Sequence, residues 1–272
     1  MRAHATSTAK GQDCISLKIL SYNTHVGIRA SRSSERLKNL WKHVLPSRCK
    51  LDNLGKMAGF LSGFDLVGLQ ESDGGSLRSS FTNHTSLLAS LAGFESWAEQ
   101  INRDLFVARH SIGLLSRFPI TKVVRHRLPG KIPGRGLLVV HIEAKGIPIA
   151  VAVGHLSLGS KDRARQMIRI GEILGGIAER TIFMGDFNCT QESEEMRFLA
   201  SMTGLRSALD HAPTYPSWRP MRDIDHVMVS AGITIRRACT LSIPLSDHLP
   251  VAVEAVIEGV DGRLAGRTHL AA

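Results

Sequence analysis

A layered α/β architecture is what this sequence predicts, and three observations predict it. Short apolar or alternating runs of strand length recur along the chain, and stretches of helical period interleave with them. Pro- and Gly-rich loops such as Pro129-Gly-Lys-Ile-Pro-Gly134 join the rest. No composition break, long linker or internal repeat divides the 272 residues, which favours one domain over two small ones.

In chain order, Leu17, Ile19 and Tyr22 follow a broken alternation that reads as a strand running into Asn23. A helix-like stretch from about Asp52 to Leu61 precedes the apolar run Asp65-Leu-Val-Gly-Leu-Gln70, which ends at Glu71. Ser111–Leu115, Gly136–Ile142 and Pro148–Val153 read as strands. Ser160 serves as N-cap of a segment with Ile168, Gly171, Ile173 and Leu174 at helical spacing. Thr181–Met184 is a strand followed by a turn, and Ile224–Val229 and Leu249–Val256 complete the set. Residues 1–15 and 258–272 read as poorly ordered tails around a catalytic-sized domain of residues 16–257.

Composition narrows the class. With 43% hydrophobic and 21% charged residues the chain is globular rather than disordered, and 25 Gly with 10 Pro exclude a collagen-like protein. No apolar run approaches the ~20 residues of a transmembrane helix. The N-terminal MRAHATSTAKGQDC has no apolar stretch of secretory type. Cys14, Cys49, Cys189 and Cys239 show neither CxxC nor zinc-ligand spacing, so idle thiols in a reducing cytoplasm are expected.

Charge is the first positive clue. The net charge of +10 is uneven: residues 1–136 hold 20 basic and 9 acidic side chains, residues 137–272 hold 14 and 15. Two segments concentrate it, one through Arg29, Arg32, Arg36, Lys38, Lys42, Arg48, Lys50 and Lys56, the other through Arg117, Lys122, Arg125, Arg127, Lys131 and Arg135. Either they form a solvated basic face or they meet a phosphate-bearing partner.

More telling is a recurrence. Predicted strands end in, or are introduced by, a residue able to hold a metal, a proton or an oxyanion: Asn23, Glu71, His155, Asp186-Phe-Asn188, Asp225 and Asp247-His248. One polar strand end is ordinary loop chemistry; six together are not. Oxygen ligands suit Mg²⁺ on phosphate substrates. Asp186 and Asn188, two apart, share a side if the chain there is extended. An imidazole such as His248 titrates near neutrality, and a carboxylate partner fixes its tautomer. Phosphodiester hydrolysis uses such a set. Active-site polar groups of this kind are expected to lie off the core, so that alanine at Asp186 or His248 costs turnover and little stability.

These residues carry a family resemblance. Leu20-Ser-Tyr-Asn23, Val67-Gly-Leu-Gln-Glu71, Gly113-Leu-Leu-Ser-Arg-Phe-Pro-Ile120, Val153-Gly-His-Leu156, Met184-Gly-Asp-Phe-Asn188, Ile224-Asp-His-Val227 and Ser246-Asp-His-Leu-Pro-Val251 stand in family order. The chain resembles the endonuclease/exonuclease/phosphatase superfamily, in its deoxyribonuclease- and sphingomyelinase-like branch. The resemblance implies a four-layer α-β-β-α sandwich of two packed mixed sheets, with the site at one rim. It implies Mg²⁺ or Mn²⁺ with Glu71, Asn23 and Asp247 as metal ligands. By the same resemblance His248 is the proton-transfer or phosphate-contacting histidine, and Asp225 orients it. Asp186 and Asn188 position water and phosphate, and His155 serves the leaving group or phosphate.

Substrate contacts are placed at Arg135, Trp218, Arg219 and Arg222. The alternative for Trp218 is a rigid surface turn packed on Pro216 and Pro220. His110 either lines the cleft or is an incidental loop residue. A nuclease acting on DNA is favoured by the basic charge. The alternative is a phospholipid, sphingomyelin or inositol-phosphate hydrolase; Pro216-Ser-Trp218 resembles inositol 5-phosphatases but Arg219-Pro-Met departs from them, and no exposed aromatic hairpin is legible. Retention of every expected polar residue argues against an inactive polyanion-binding protein. The sequence is silent on oligomeric state.

Overall fold

The structure, a computed structural model, describes residues 14–29 and 43–258. Arg32, Arg36, Lys38 and Lys42 of the first basic segment lie outside the described residues. Strand β1 (Cys14–Asn23) crosses through α1 (Arg48–Leu61) to β2 (Leu66–Asp73); α2 (His84–Ala92), β3 (Ser96–Asp104) and β4 (Arg109–Ser116) follow. Next come β5 (Ile120–Arg127), β6 (Gly136–Ala144) and β7 (Ile147–His155), then α3 (Ser160–Gly175) and β8 (Arg180–Asp186). The chain continues through α4 (Glu194–Thr203), β9 (Arg206–Ser207), β10 (Asp225–Val229), β11 (Ile233–Thr240) and β12 (Val251–Glu258).

Two six-stranded sheets form, in the orders β11-β12-β1-β2-β4-β3 and β5-β6-β7-β8-β10-β9. Each is mixed in the same way, with one central parallel pair: β1–β2 in the first, β7–β8 in the second. All other neighbours are antiparallel. The architecture therefore repeats where the sequence shows no repeat. Each parallel pair is closed by a helical crossover, α1 or α3, as parallel strands require.

Leu17, Ile19 and Leu66 of the first sheet pack on Val140, Val153 and Met184 of the second in the central core. Leu20 and Tyr22 point the other way, under Leu54 and Met57 of α1 and Leu88 of α2. Met167 and Ile170 of α3 and Leu199 of α4 cover Phe183 on the far side. The layers are thus α-β-β-α. Burial on both faces is why β1 alternates imperfectly: both sets of its side chains need apolar partners.

The tails are shorter than expected. Cys14 pairs with Glu258 and Ile15 with Ile257, both isoleucines buried, so the folded domain gains two residues at its start and one at its end. Gly159, not Ser160, occupies the N-cap position of α3. Gly185 is demanded by the β7–β8 pairing: a Cβ there would stand 2.0 Å from the Gly154 carbonyl oxygen. That close approach of two backbones admits only glycine beside Asp186.

Candidate active site

Strand polarity assembles the site. The carboxyl ends of both parallel pairs reach one rim, bringing Asn23 and Glu71 from the first sheet and His155 and Asp186 from the second. Antiparallel β10 delivers its first residue, Asp225, opposite Asp186. Asp247 and His248 arrive on the loop entering β12. At Glu71 the β2–β4 register slips between Leu69 and Ser72, and Glu71 takes φ +50. A bulge with one left-handed residue re-aims its side chain out of the pleat, a strain kept where function needs it. The Thr24 hydroxyl donates to the carbonyls of Gln70 and Glu71, both at 3.1 Å, and ties the two strand ends together.

Asp186 is the hub, 2% exposed. Its Oδ2 accepts from Asn23 Nδ2 at 3.1 Å and lies 3.5 Å from His155 Nε2 and 3.8 Å from His248 Nε2. Its Oδ1 accepts the Asn188 backbone N–H at 3.0 Å. Asn188 sits at φ +55 and donates its amide to the Leu156 carbonyl at 3.0 Å. The pair is therefore a turn closed by the aspartate, and the extended-chain reading of its spacing is corrected; short Asx side chains bond their own following backbone.

His248 Nδ1–H donates to Asp225 Oδ2 at 2.8 Å. The Thr214 hydroxyl donates to the same oxygen. Tyr215 packs on the imidazole with ring centroids 4.8 Å apart. Ser217 donates its N–H to the Asp247 carbonyl at 2.8 Å and its hydroxyl to the Ser246 carbonyl at 2.6 Å. The Thr214–Ser217 segment thus braces the loop that carries Asp247 and His248. Sequence reasoning singled out this segment for Trp218 and missed Thr214 and Tyr215, whose proximity to Asp225 was the available signal. His25, also missed, approaches Asp247 with Nδ1 to Oδ1 3.5 Å.

Charge sorts the groups into roles. Burial alone would lower His248, but the charge and hydrogen bond of Asp225, with Asp186 and Asp247, push it up to about 10, so it is an imidazolium at neutrality. Burial lowers His155 to about 3, aided by Arg135, and keeps it neutral. Burial, together with the charges of Asp225 and Glu71, raises Asp186 to about 7 against the pull of His248. Burial would raise Glu71, yet the surrounding histidines and the Asn23 amide hold its carboxylate well below the usual range, at about 2.

A cleft of 480 Å³ opens beside Glu71 and His155. Arg135, Arg103, Lys131 and His110 line it, so His110 is a strand residue on the cleft wall rather than an incidental one. Trp218, Arg219 and Arg222 do not line this cleft; they follow the bracing turn at the neighbouring rim. The second basic segment divides. Arg117 bonds the carbonyls of Phe64, Gly93 and Ser62 at the end of β4 remote from His110, whereas Arg127 pairs beside Gly136, opposite His155. Lys50 is buried and donates to the carbonyls of Leu45 and Arg78. The hairpin between β3 and β4 exposes Leu105, Phe106 and Val107, with Phe81 6.0 Å from Phe106. That is the apolar hairpin the sequence hid, because its residues are not periodic.

The donors fit a divalent cation. Four carboxylates, Glu71, Asp186, Asp225 and Asp247, gather round one imidazolium, and buried Asp225 Oδ1 has no hydrogen-bond partner. Ligand atoms of Asp186, Asp225 and His248 lie within 4.8 Å of one another. Hard oxygens of this kind select Mg²⁺ or Mn²⁺ over softer metals. Among the described residues no helix is long and apolar enough to cross a membrane.

An oxygen-rich cation pocket flanked by two imidazoles, at the open rim of stacked mixed sheets, defines a metal-assisted hydrolase. The chain belongs to the Endonuclease/Exonuclease/phosphatase family, whose sequence profile matches residues 20–248. That family is divalent-metal dependent and its members are hydrolases. Solved structures share the fold. A family protein from Bacteroides thetaiotaomicron is 18% identical with a TM-score of 0.71, covering 90% of this chain and 99% of its own. The mannosyl-6-phosphatase of the same organism is 18% identical with a TM-score of 0.66, covering 88% and 99%. The human Nocturnin catalytic domain with bound sulfate is 18% identical with a TM-score of 0.67, covering 92% and 97%. No curated protein sequence matches the chain significantly.

Proposed function

We propose that this chain is a phosphodiesterase that hydrolyses its substrate by in-line attack of an activated water, with nucleic acid as the favoured substrate. One observation carries the reading: a cationic and a neutral imidazole stand within 4 Å of one carboxylate, at 3.8 and 3.5 Å, with Arg135 on the adjoining cleft wall. A carboxyl group titrating near neutrality, Asp186, is matched to taking the proton of the attacking water. Asn188 holds that carboxylate in place through its N–H. His248, kept protonated and oriented by Asp225, offers Nε2–H to the oxygen that gains charge. His155 and Arg135 contact the remaining phosphate oxygens, donors aimed at developing charge. Glu71, Asn23 and Asp247 would hold Mg²⁺ or Mn²⁺, which neutralises phosphate charge when bound. Arg103, Arg127, Lys131 and Arg135 at the rim supply phosphate contacts along a strand.

Nicking of supercoiled plasmid at low salt, with Mg²⁺ or Mn²⁺, tests this. Nicking abolished by EDTA and by His248→Ala supports a nuclease. A folded protein that never nicks sinks the nucleic-acid reading and leaves a second one. That second reading is a hydrolase of anionic phospholipid or a related headgroup, favoured by the apolar patch of Phe81, Leu105, Phe106 and Val107 at the site rim. Release of headgroup from vesicles would then replace nicking as the assay.

A further inference from the structure

We propose that a second, non-catalytic site binds a phosphate group at the N-terminus of α1. A pocket of 200 Å³ lies there, walled by Ser47 in the N-cap position, by Arg48 and Lys50 of α1, by Arg78 and Ser79 of the turn after β2, and by His84. Three features make it an oxyanion site rather than an incidental hollow. No side chain caps α1: Ser47, in the N-cap position, makes no cap hydrogen bond. The positive end of the dipole of a fourteen-residue helix therefore faces the pocket without a side-chain cap, and of its first N–H groups that of Lys50 bonds the Ser47 carbonyl at 3.0 Å. Two buried side chains lining the pocket are unpartnered: both ring nitrogens of His84, 1% exposed, and Nη2 of Arg78, 2% exposed. Buried polar groups seldom stay unpaired, and each such atom costs about 1–3 kcal/mol. No carboxylate lines the pocket, while Arg48, Lys50 and Arg78 bring three cations to it.

Among the described residues, the carboxylate that pairs with Arg78 is Asp73, and it is already spent. Its oxygens accept from Arg78 Nε, the Ser76 N–H and hydroxyl and the Ser79 hydroxyl, which leaves Arg78 Nη2 directed elsewhere. The volume corresponds to roughly seven waters at about 30 Å³ each, room for one tetrahedral oxyanion with its hydrating waters. None of the residues lining this pocket lines the catalytic cleft. The ligand is thus a single phosphate group, either free phosphate or one phosphate of a nucleic-acid backbone.

Thermal unfolding in EDTA, with and without about 10 mM inorganic phosphate, tests the site through ligand linkage. Phosphate should raise the wild-type Tm by about 3 °C or more. Arg48→Ala, a change at an exposed position, should lose most of that rise. His84→Leu should begin from a Tm no lower than wild type, because an unsatisfied imidazole has gone, and gain nothing from phosphate. His248→Ala should keep the part of the phosphate-induced rise that Arg48→Ala removes, which separates this site from the catalytic one. An absent wild-type response, a response unchanged in both Arg48→Ala and His84→Leu, or one lost in His248→Ala overturns the proposal. Oligonucleotide affinity in EDTA distinguishes the sources. Weakening by Arg48→Ala supports the site as a backbone contact, and an unchanged affinity alongside a lost phosphate response supports it as a free-phosphate site.

Discussion

Two buried carboxylate–cation pairs stand near the same rim, and they behave oppositely. Asp73 spends both oxygens: Oδ1 accepts from Gly75 N–H, Ser76 N–H and the Ser79 hydroxyl, and Oδ2 from Arg78 Nε at 2.5 Å and the Ser76 hydroxyl. Asp225 spends one oxygen on His248 and Thr214, and its other, Oδ1, has no hydrogen-bond partner. Between these two carboxylates, saturation fits a scaffold and the spare oxygen fits the proposed chemistry. The electrostatics agree. Burial would raise Asp73, but Arg78, Ser76 and Ser79 hold it at about 2, so it is a settled anion. Asp186, beside Asp225, is raised to about 7 by burial and like charge and stays near a proton-transfer threshold.

Experiments can break this contrast. Largest is Asp186→Asn, for which a metal-dependent diesterase assay should lose about 10⁴-fold in kcat. The fold should become more stable. A carboxyl raised above its ordinary value is penalised once ionised, fully above pH about 7, and the amide removes that penalty. A fall in Tm would put Asp186 among the scaffold groups. Next comes Asp73→Ala, which strands Arg78 and should cost about 3–5 kcal/mol of stability by urea unfolding. Its kcat, corrected for the folded fraction, should match wild type.

Asp225→Asn follows, with about a 10²-fold loss of kcat. In the native protein the His248–Asp225 contact contributes stability that is complete below about pH 6.5 and disappears as pH rises through about 10. The asparagine variant should lack that alkaline decline, because His248 relaxes toward its ordinary value; an unchanged profile would remove Asp225 as its cause. Smallest is Glu71→Gln, which should raise the Mg²⁺ concentration for half-activity about 10-fold. An unaltered metal requirement would take Glu71 off the ligand set. The expectation that alanine at His248 spares stability is corrected by its burial, since it leaves Asp225 without its cation.

Legibility followed the physics of each element. The eight strands read from the sequence all exist, because strands buried on both faces are dense in apolar residues. Strands β3, β5, β9 and β11 escaped because sheet-edge positions leave them half-polar or short: Thr121, Lys122, Arg236 and Arg237 are exposed, and β9 has two residues. The candidate site residues were legible as types at strand ends. The bracing roles of Thr214, Tyr215 and His25 were not, since they act through contacts between segments far apart in sequence.

By itself the sequence determined the class of fold, the family and the chemical inventory of the site. Those reside in local pattern: apolar runs, Pro- and Gly-rich loops, carboxylates and imidazoles where strands stop. Only the tertiary structure decided how that inventory is used. It placed Arg135 on the cleft and Arg117 at the far rim, saturated Asp73 and left Asp225 open, and buried His84 unpaired beside an uncapped helix. The reason is that a group's charge state and free valence depend on burial and on partners tens to hundreds of residues away, which no local pattern records.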